Sequence, residues 1–126
     1  MWNASLVGVG GFIGSICRYW LSGIVHDWMK PVFPAGTLVV NLIGCLVIGV
    51  LSHLVENRGA FSAETRTFLF VGILGGFTTF SSFANESLNL WRDGSSGLAS
   101  INIAAHIVLG LGAVWLGRLG AELVWG

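Results

Sequence analysis

The chain has 126 residues, of which 54% are hydrophobic and 10% are charged, and its formal net charge is zero. A typical soluble domain carries about 25% charged residues, so this chain has too few charges to cover a water-soluble fold. A net charge of zero also gives no indication of a nucleic-acid partner. The composition therefore excludes a soluble globular form and predicts an integral membrane protein with a single domain, residues 1–126.

The charged residues lie between four uncharged stretches. No Asp, Glu, Lys or Arg occurs in residues 1–17, 31–55, 67–85 or 94–117. A helix that crosses a bilayer needs about 20 mostly apolar residues. Four spans are therefore predicted, over residues 5–25, 36–55, 67–90 and 98–123, with little chain left for a domain outside the membrane.

The first span is rich in glycine. Gly10 and Gly14 form a GxxxG pair, which allows another helix to approach closely. Arg18 lies in the last third of the span, where its side chain would either extend to the interface or form half of an ion pair.

Asn41 lies about one turn inside the second span. Its amide group offers two donor hydrogens and an acceptor, so on an apolar helix it needs partners. Two interpretations stay open on the residues alone. Asn41 either forms a hydrogen bond between helices that stabilises the bundle, or lines a pore.

The third span is interrupted by small and polar residues. Its middle reads GILGGFTTFSSF over residues 72–83. Two adjacent glycines and four hydroxyl residues weaken a simple helix, and a break at membrane depth is stable only where protein or water satisfies the freed backbone groups. We therefore predict a break in the third span.

Three phenylalanines follow the glycines of the third span. Phe77, Phe80 and Phe83 recur every three residues, which predicts that they share one helix face. A lone stripe of this kind favours apolar packing, but Ser81 and Ser82 lie between two of the rings. Because ring edges are electropositive, edges beside hydroxyl and amide donors could hold a small dehydrated anion without trapping it.

Gly75 and Thr78 flank the predicted break. Backbone carbonyls released by a broken membrane helix can coordinate a hard cation such as Na⁺. A glycine-rich packing kink explains the same residues, and on the residues alone it is the stronger interpretation.

Two further ionisable residues lie within the predicted spans. Glu86, toward the end of the third span, is interpreted as an interfacial residue or as half of an ion pair. His106, near the middle of the fourth span, is interpreted as a hydrogen-bonded structural residue, because no second His or Cys lies at ligand spacing. No nucleophile–base pair or phosphate-binding loop occurs, so the sequence does not indicate an enzyme.

The charges leave the orientation in the membrane open. With four spans, both termini lie on the same side as the second loop, and this side carries Arg58, Arg66 and, near the C-terminus, Arg118. The other side carries Lys30, Arg92 and, if its side chain extends outward, Arg18. The positive-inside bias is therefore close to zero. Either a few charges decide one orientation, or the chain inserts both ways and pairs as an antiparallel dimer.

Two motifs resemble those of the Fluc/CrcB fluoride channels. GTLVVNLIG, residues 36–44, resembles their GTLxVNxxG signature, and GILGGFTTFSSF resembles their GxxGGxTTFSTF signature. The glycine-rich first span with Arg18 and Tyr19 also fits, so the resemblance covers essentially the whole chain. It implies an all-α membrane fold of four transmembrane helices, paired as an antiparallel, dual-topology homodimer in the cell inner membrane.

The resemblance also implies a function and a set of site residues. The family exports fluoride passively by electrodiffusion through two pores per dimer, around a structural Na⁺ at the dimer centre. The residues implied to line the fluoride pore are Asn41, Phe80, Phe83, Ser81 and Ser82. The residues whose backbone carbonyls are implied to hold Na⁺ are Gly75 and Thr78.

The sequence departs from the family pattern at two places. Position 82 is Ser where the common motif has Thr, which keeps the hydroxyl and removes a methyl group. No Ser or Thr follows Ser100, so a polar track along the fourth span would depend on Asn102 or His106.

Two other functions stay open on the sequence. A small multidrug-type, proton-coupled exporter has a similar size, but it requires an acidic residue in its first span, and residues 5–25 contain neither Asp nor Glu. A non-transporting assembly subunit would use the glycine pairs Gly10/Gly14 and Gly72/Gly76 as contact surfaces for a partner.

Overall fold

The computed structural model describes residues 1–29 and 32–126, and all regular secondary structure in these residues is helical. Within these two ranges, four helices are long and apolar enough to cross a membrane, with 28, 24, 30 and 30 residues. The four predicted spans are confirmed, although each helix extends beyond the predicted ends. Lys30, one of the cations considered for the orientation, lies outside the described residues.

The first, second and fourth spans are each one continuous helix. They are α1 (Trp2–Met29), α2 (Ala35–Arg58) and α6 (Ser96–Trp125). At about 1.5 Å per residue, helices of this length exceed the roughly 30 Å hydrocarbon core of a bilayer. Their ends therefore extend into the interfacial region or the helices tilt.

The third span, Ala63–Arg92, is built from several pieces. It comprises α3 (Ala63–Arg66), a π-helical segment (Thr67–Leu74), α4 (Gly75–Phe77) and α5 (Phe80–Arg92). The Ser62 hydroxyl accepts a hydrogen bond from the Thr65 backbone N–H at 3.2 Å, which caps the start of the span. Between α4 and α5, Thr78 and Thr79 have extended backbone angles.

Glycines bring α1 into backbone contact with the third span. A Cβ atom added to Gly10 would lie 2.9 Å from Gly72 Cα, and one added to Gly76 would lie 3.0 Å from Gly11 Cα. A Cβ atom on Gly14 would overlap the Ile73 carbonyl oxygen. The close approach that GxxxG pairs allow therefore occurs inside the chain. The hypothesis that these pairs are contact surfaces for a partner is wrong, because all four glycines already contact backbone atoms of this same chain.

A second glycine contact joins α2 to α6. Cβ atoms on Gly49 and Gly117 would overlap backbone atoms of the facing helix. At one end of this helix pair, both Nη atoms of Arg118 donate to the Glu56 carboxylate at 2.8 and 2.9 Å. Arg58 also donates to the Trp125 carbonyl oxygen. This end of the bundle is the one that the sequence assigns to Arg58 and Arg118.

Large apolar side chains cover the outside of the bundle, and few lie inside. Phe12, Trp20 and Leu111 are exposed, whereas the fully buried residues include Val40 and the polar Asn102. This inverted distribution suits a chain whose surface faces lipid, where helices associate through small residues and hydrogen bonds.

Candidate functional site

The extended residues Thr78 and Thr79 lie at the centre of the site. The Thr79 hydroxyl oxygen accepts a hydrogen bond from the Ser82 backbone N–H at 3.3 Å, so Thr79 caps the N-terminus of α5. The Thr78 hydroxyl donates to the Leu74 carbonyl at 2.9 Å. A Cβ atom on Gly44 would overlap the Thr78 methyl group, so only glycine at position 44 lets α2 approach these residues.

Asn41 of α2 pairs with both backbone groups of Thr79. The Thr79 N–H donates to Asn41 Oδ1 at 2.9 Å, and Asn41 Nδ2 donates to the Thr79 carbonyl at 3.1 Å. Asn41 Nδ2 also lies 3.0 Å from His106 Nε2 on α6. One amide therefore connects three spans and satisfies backbone groups that would otherwise lie unpaired at membrane depth.

His106 forms hydrogen bonds through both ring nitrogens. Its Nδ1 lies 3.0 Å from the backbone carbonyl oxygen of Asn102, which can only accept, so Nδ1 carries the hydrogen. The Asn41 Nδ2 group can only donate, so Nε2 is the acceptor and the imidazole is neutral. The ring also packs on Phe83, with centroids 4.2 Å apart.

Phe80 and Phe83 form an edge-to-face pair on α5, with ring centroids 5.4 Å apart and an interplanar angle of 61°. Phe80 is 78% exposed in the single chain, and Phe83 is half-buried. The prediction that Phe77 shares their helix face is wrong. Phe77 ends α4, and the extended residues separate it from α5.

A cavity of about 410 Å³ opens beside these groups. Six of the residues singled out in the sequence line it: Asn41, Gly75, Thr78, Phe80, Phe83 and His106. Its lining within residues 1–29 and 32–126 contains no Asp, Glu, Lys or Arg. The site is thus an uncharged chamber lined by aromatic rings, one amide, one imidazole and the extended residues Thr78 and Thr79.

The two serines of the motif lie outside this cavity lining. Ser82 accepts a hydrogen bond from the Thr79 hydroxyl at 3.0 Å, and its backbone N–H is part of the α5 cap. Ser81 is exposed, with its hydroxyl 3.5 Å from that of Thr79. In the single chain, Ser82 therefore supports the cap, and Ser81 lies at the surface.

The extended residues free two backbone carbonyls. In a continuous helix, the Gly75 carbonyl would accept from the Thr79 N–H and the Thr78 carbonyl from the Ser82 N–H. Here the Thr79 N–H donates to Asn41, and the Ser82 N–H donates to the Thr79 hydroxyl. These two carbonyls are the ones that the family resemblance implies for Na⁺, and hard oxygen atoms of this kind fit such a cation.

Arg18 and Glu86 lie apart from the cavity lining. Arg18 Nε donates to the Gly76 carbonyl at 3.0 Å, a contact inside the bundle that neither sequence interpretation included. The Thr37 hydroxyl donates to Glu86 Oε1 at 2.8 Å. Glu86 lines a different cavity of about 240 Å³, together with His26, Asn89 and Asp93.

Sequence reasoning missed several residues that support the site. Thr79 was considered only as a member of the hydroxyl cluster, although it provides the cap and both backbone partners of Asn41. Ser87 donates to the Phe83 carbonyl at 2.8 Å and accepts from Asn102 Nδ2 at 2.9 Å. The signal for these residues in the sequence is their polarity within apolar spans, because buried polar groups in membranes need partners, but the sequence does not show which of them pair.

These features define a small multi-pass membrane protein with an uncharged, aromatic-lined polar site between its spans. The chain matches the family model described as CrcB-like protein, Camphor Resistance (CrcB), over residues 5–118. The chain belongs to this family, and the family assignment made from the two motifs is confirmed.

Similar proteins agree with this assignment. A fluoride-specific ion channel FluC of Methylobacillus flagellatus is 48% identical over 121 residues, which cover 93% of this chain and 92% of that protein. The FluC of Opitutus terrae is 47% identical, over 91% of this chain and 89% of that protein. FluC 1 of Methanosarcina acetivorans is 43% identical, over 96% of this chain and 92% of that protein. The relatives are named ion channels, in agreement with the prediction that the chain is not an enzyme.

Proposed function

We propose that this chain is a fluoride-selective channel that exports F⁻ from the cytoplasm across the cell inner membrane by passive electrodiffusion. The observation that carries the proposal is the uncharged cavity where Asn41, Phe80 and Phe83 meet, in a chain 48% identical to a protein named as a fluoride-specific channel. The multidrug-type alternative has less support, because Glu86 lies outside this cavity and α1 carries no acidic residue in residues 5–25.

The driving force follows from acid–base chemistry. Hydrogen fluoride is neutral and crosses lipid, then dissociates in a less acidic cytoplasm, where the anion is trapped. An inside-negative membrane potential favours anion exit by about 2.3 kcal/mol per charge for each 100 mV. A selective pore therefore needs no further energy source to lower the cytoplasmic fluoride concentration.

The chamber offers fluoride partial positive charges without a full counter-ion. The edge of an aromatic ring is electropositive, and the rings of Phe80 and Phe83 line the same cavity as the Asn41 amide. Both hydrogens of Asn41 Nδ2 are engaged, with Thr79 and with His106. An anion would bind Asn41 only by exchanging one of these bonds, which keeps binding reversible, as conduction requires.

The functional unit is proposed to be an antiparallel, dual-topology homodimer with two pores. The near-zero charge bias across the membrane permits insertion in both directions. The exposed face of Phe80 and the open cavity beside it would be covered by a second copy. In this proposed dimer, the extended residues Thr78 and Thr79 interrupt the third span beside the pore.

A structural Na⁺ is proposed at the centre of the dimer. The freed carbonyls of Gly75 and Thr78 would hold it, and two chains would supply four such carbonyls. The ion would supply a fixed positive charge that keeps the two extended segments together. The proposal rests on the hydrogen bonds that divert the Thr79 and Ser82 N–H groups from these carbonyls.

The test is fluoride release from liposomes that contain only this purified chain. A fluoride electrode records efflux, chloride is the control ion, and valinomycin with K⁺ releases the membrane potential. We expect rapid fluoride release without chloride release. Folded protein that releases no fluoride would contradict the proposed function, and equal release of chloride would contradict selectivity.

A further inference from the structure

A chain of hydrogen bonds begins at Thr79 and ends on α5. Thr79 pairs with Asn41, Asn41 with His106, and His106 with the Asn102 carbonyl. The Asn102 side chain, which is fully buried, then donates to Ser87, and Ser87 donates to the Phe83 carbonyl. The network thus links α2, α5 and α6 around the cavity.

Each link in this network has a defined direction. The Thr79 N–H needs an acceptor, so Asn41 must present Oδ1 to it and turn Nδ2 toward His106. His106 must then accept through Nε2, while the Asn102 carbonyl requires a hydrogen on Nδ1. Only the tautomer with its hydrogen on Nδ1 satisfies both contacts of the His106 ring. This tautomer is fixed by two backbone groups, the Thr79 N–H, which can only donate, and the Asn102 carbonyl, which can only accept.

We propose that His106 is a positioning residue for the fluoride pathway: its neutral imidazole, with the hydrogen on Nδ1, fixes the Asn41 amide against Thr79 and supports the Phe83 ring. This proposal rests on the proposed function and adds a role for a residue of the fourth span. His106 acts through Asn41 and Phe83, which it contacts at 3.0 Å and at a ring separation of 4.2 Å.

The spectroscopic test does not depend on transport. The chain has three histidines, so ¹⁵N-histidine NMR uses the His106→Gln and His53→Asn variants to assign the signals of these two rings. We expect His106 to carry its hydrogen on Nδ1. His53 provides a contrast, because its Nδ1 lies 3.1 Å from the Asn57 side-chain amide and not beside a backbone carbonyl. An Nε2-protonated or charged His106 would overturn the proposal, even in a protein that carried no fluoride.

The transport test uses two variants. His106→Asn can keep a donor near the position of Nδ1, and His106→Gln can keep an acceptor near the position of Nε2. His106→Gln places an acceptor near the Nε2 position, whereas His106→Asn is too short to reach Asn41. We expect His106→Gln to stay within about threefold of wild-type fluoride flux and His106→Asn to lose about tenfold, the effect of one lost buried hydrogen bond. His53→Asn, which keeps an acceptor for Asn57, is the matched control and should leave the flux unchanged.

A double variant separates positioning from a general loss of structure. If His106 acts in part through Asn41, then Asn41→Ala with His106→Asn should lose less flux than the sum of the two single losses, because coupled residues are not additive. Wild-type flux in folded His106→Asn, or fully additive losses in the double variant, would overturn the proposal. Absence of fluoride flux in the wild type would instead contradict the proposed function.

Discussion

At the scale of single residues, Asn41 solves the main physical problem of the third span. Two adjacent residues in extended conformation expose backbone groups that a bilayer interior cannot satisfy. The Asn41 amide pairs with both groups of Thr79, at 2.9 and 3.1 Å. The sequence left open whether Asn41 joins helices or lines a pore, and the structure shows that its position permits both.

The first prediction concerns this amide. Asn41→Leu removes both partners of Thr79, and each orphaned backbone group should lower the free energy of unfolding by about 1–3 kcal/mol. Thermal or denaturant unfolding in detergent measures the loss. Asn85→Leu makes the same change at an exposed position of α5 and should alter stability little. Equal stability of the two variants would contradict the structural role of Asn41.

The second prediction concerns the ring edges. Phe80→Ile keeps an apolar side chain but removes the electropositive edge beside the cavity, so fluoride flux should fall by at least about tenfold, which corresponds to about 1.4 kcal/mol. Phe83→Ile should behave in the same way. Phe12→Ile, at an exposed position of α1, is the matched control. Fluoride efflux from liposomes compares the three variants with the wild type. Normal flux in folded Phe80→Ile would contradict the ring-edge mechanism.

At the scale of helices, backbone approach through glycine sets the geometry that single residues then use. α1 lies against the third span at Gly10, Gly14, Gly72 and Gly76, while Arg18 of the same helix donates to the Gly76 carbonyl just before the extended residues. The π-helical segment ends where α4 begins. Segments of this kind are frequent at functional sites.

The third prediction tests this helix contact. Gly14→Ala would place a Cβ atom against the Ile73 carbonyl, so we expect it to destabilise the fold by about 1–3 kcal/mol and to reduce flux. Gly8→Ala, in the same helix with open space around it, should be neutral or raise stability by up to about 1 kcal/mol. Unfolding in detergent compares the two, and a stable Gly14→Ala variant would argue against close packing of α1.

The elements could be predicted from the sequence to different degrees. The four spans follow from charge-free stretches, because burial in lipid is a property of each segment by itself. The partners of Arg18, Glu86 and His106 could not be predicted, because they depend on which faces of separate helices meet. The glycine pairs were recognised as contact surfaces, but periodicity alone does not tell whether the contacting helix belongs to the same chain.

At the scale of the whole molecule, the proposed Na⁺ joins two chains through four carbonyls. We expect protein purified and reconstituted with N-methylglucamine in place of Na⁺ to lose fluoride flux and to recover it when Na⁺ is added back. K⁺, as a larger ion, serves as the control. Full flux after exhaustive Na⁺ removal would contradict the central cation while leaving the pore itself unaffected.

The orientation of the chain in the membrane depends on the distribution of Lys and Arg between its two sides. The bias of Lys and Arg between the two sides is close to zero, so a few added lysines should decide the topology. Ala63→Lys with Glu64→Lys favours one orientation, and Asp93→Lys with Ser96→Lys favours the other. All four positions are exposed at ends of the bundle. If two opposite copies form the unit, each doubly substituted chain alone should conduct poorly, and co-expression of the two should restore flux. Cysteine labelling from one side of the membrane reports the orientation of each chain, and full flux from a chain confined to one orientation would show that the antiparallel dimer is not required.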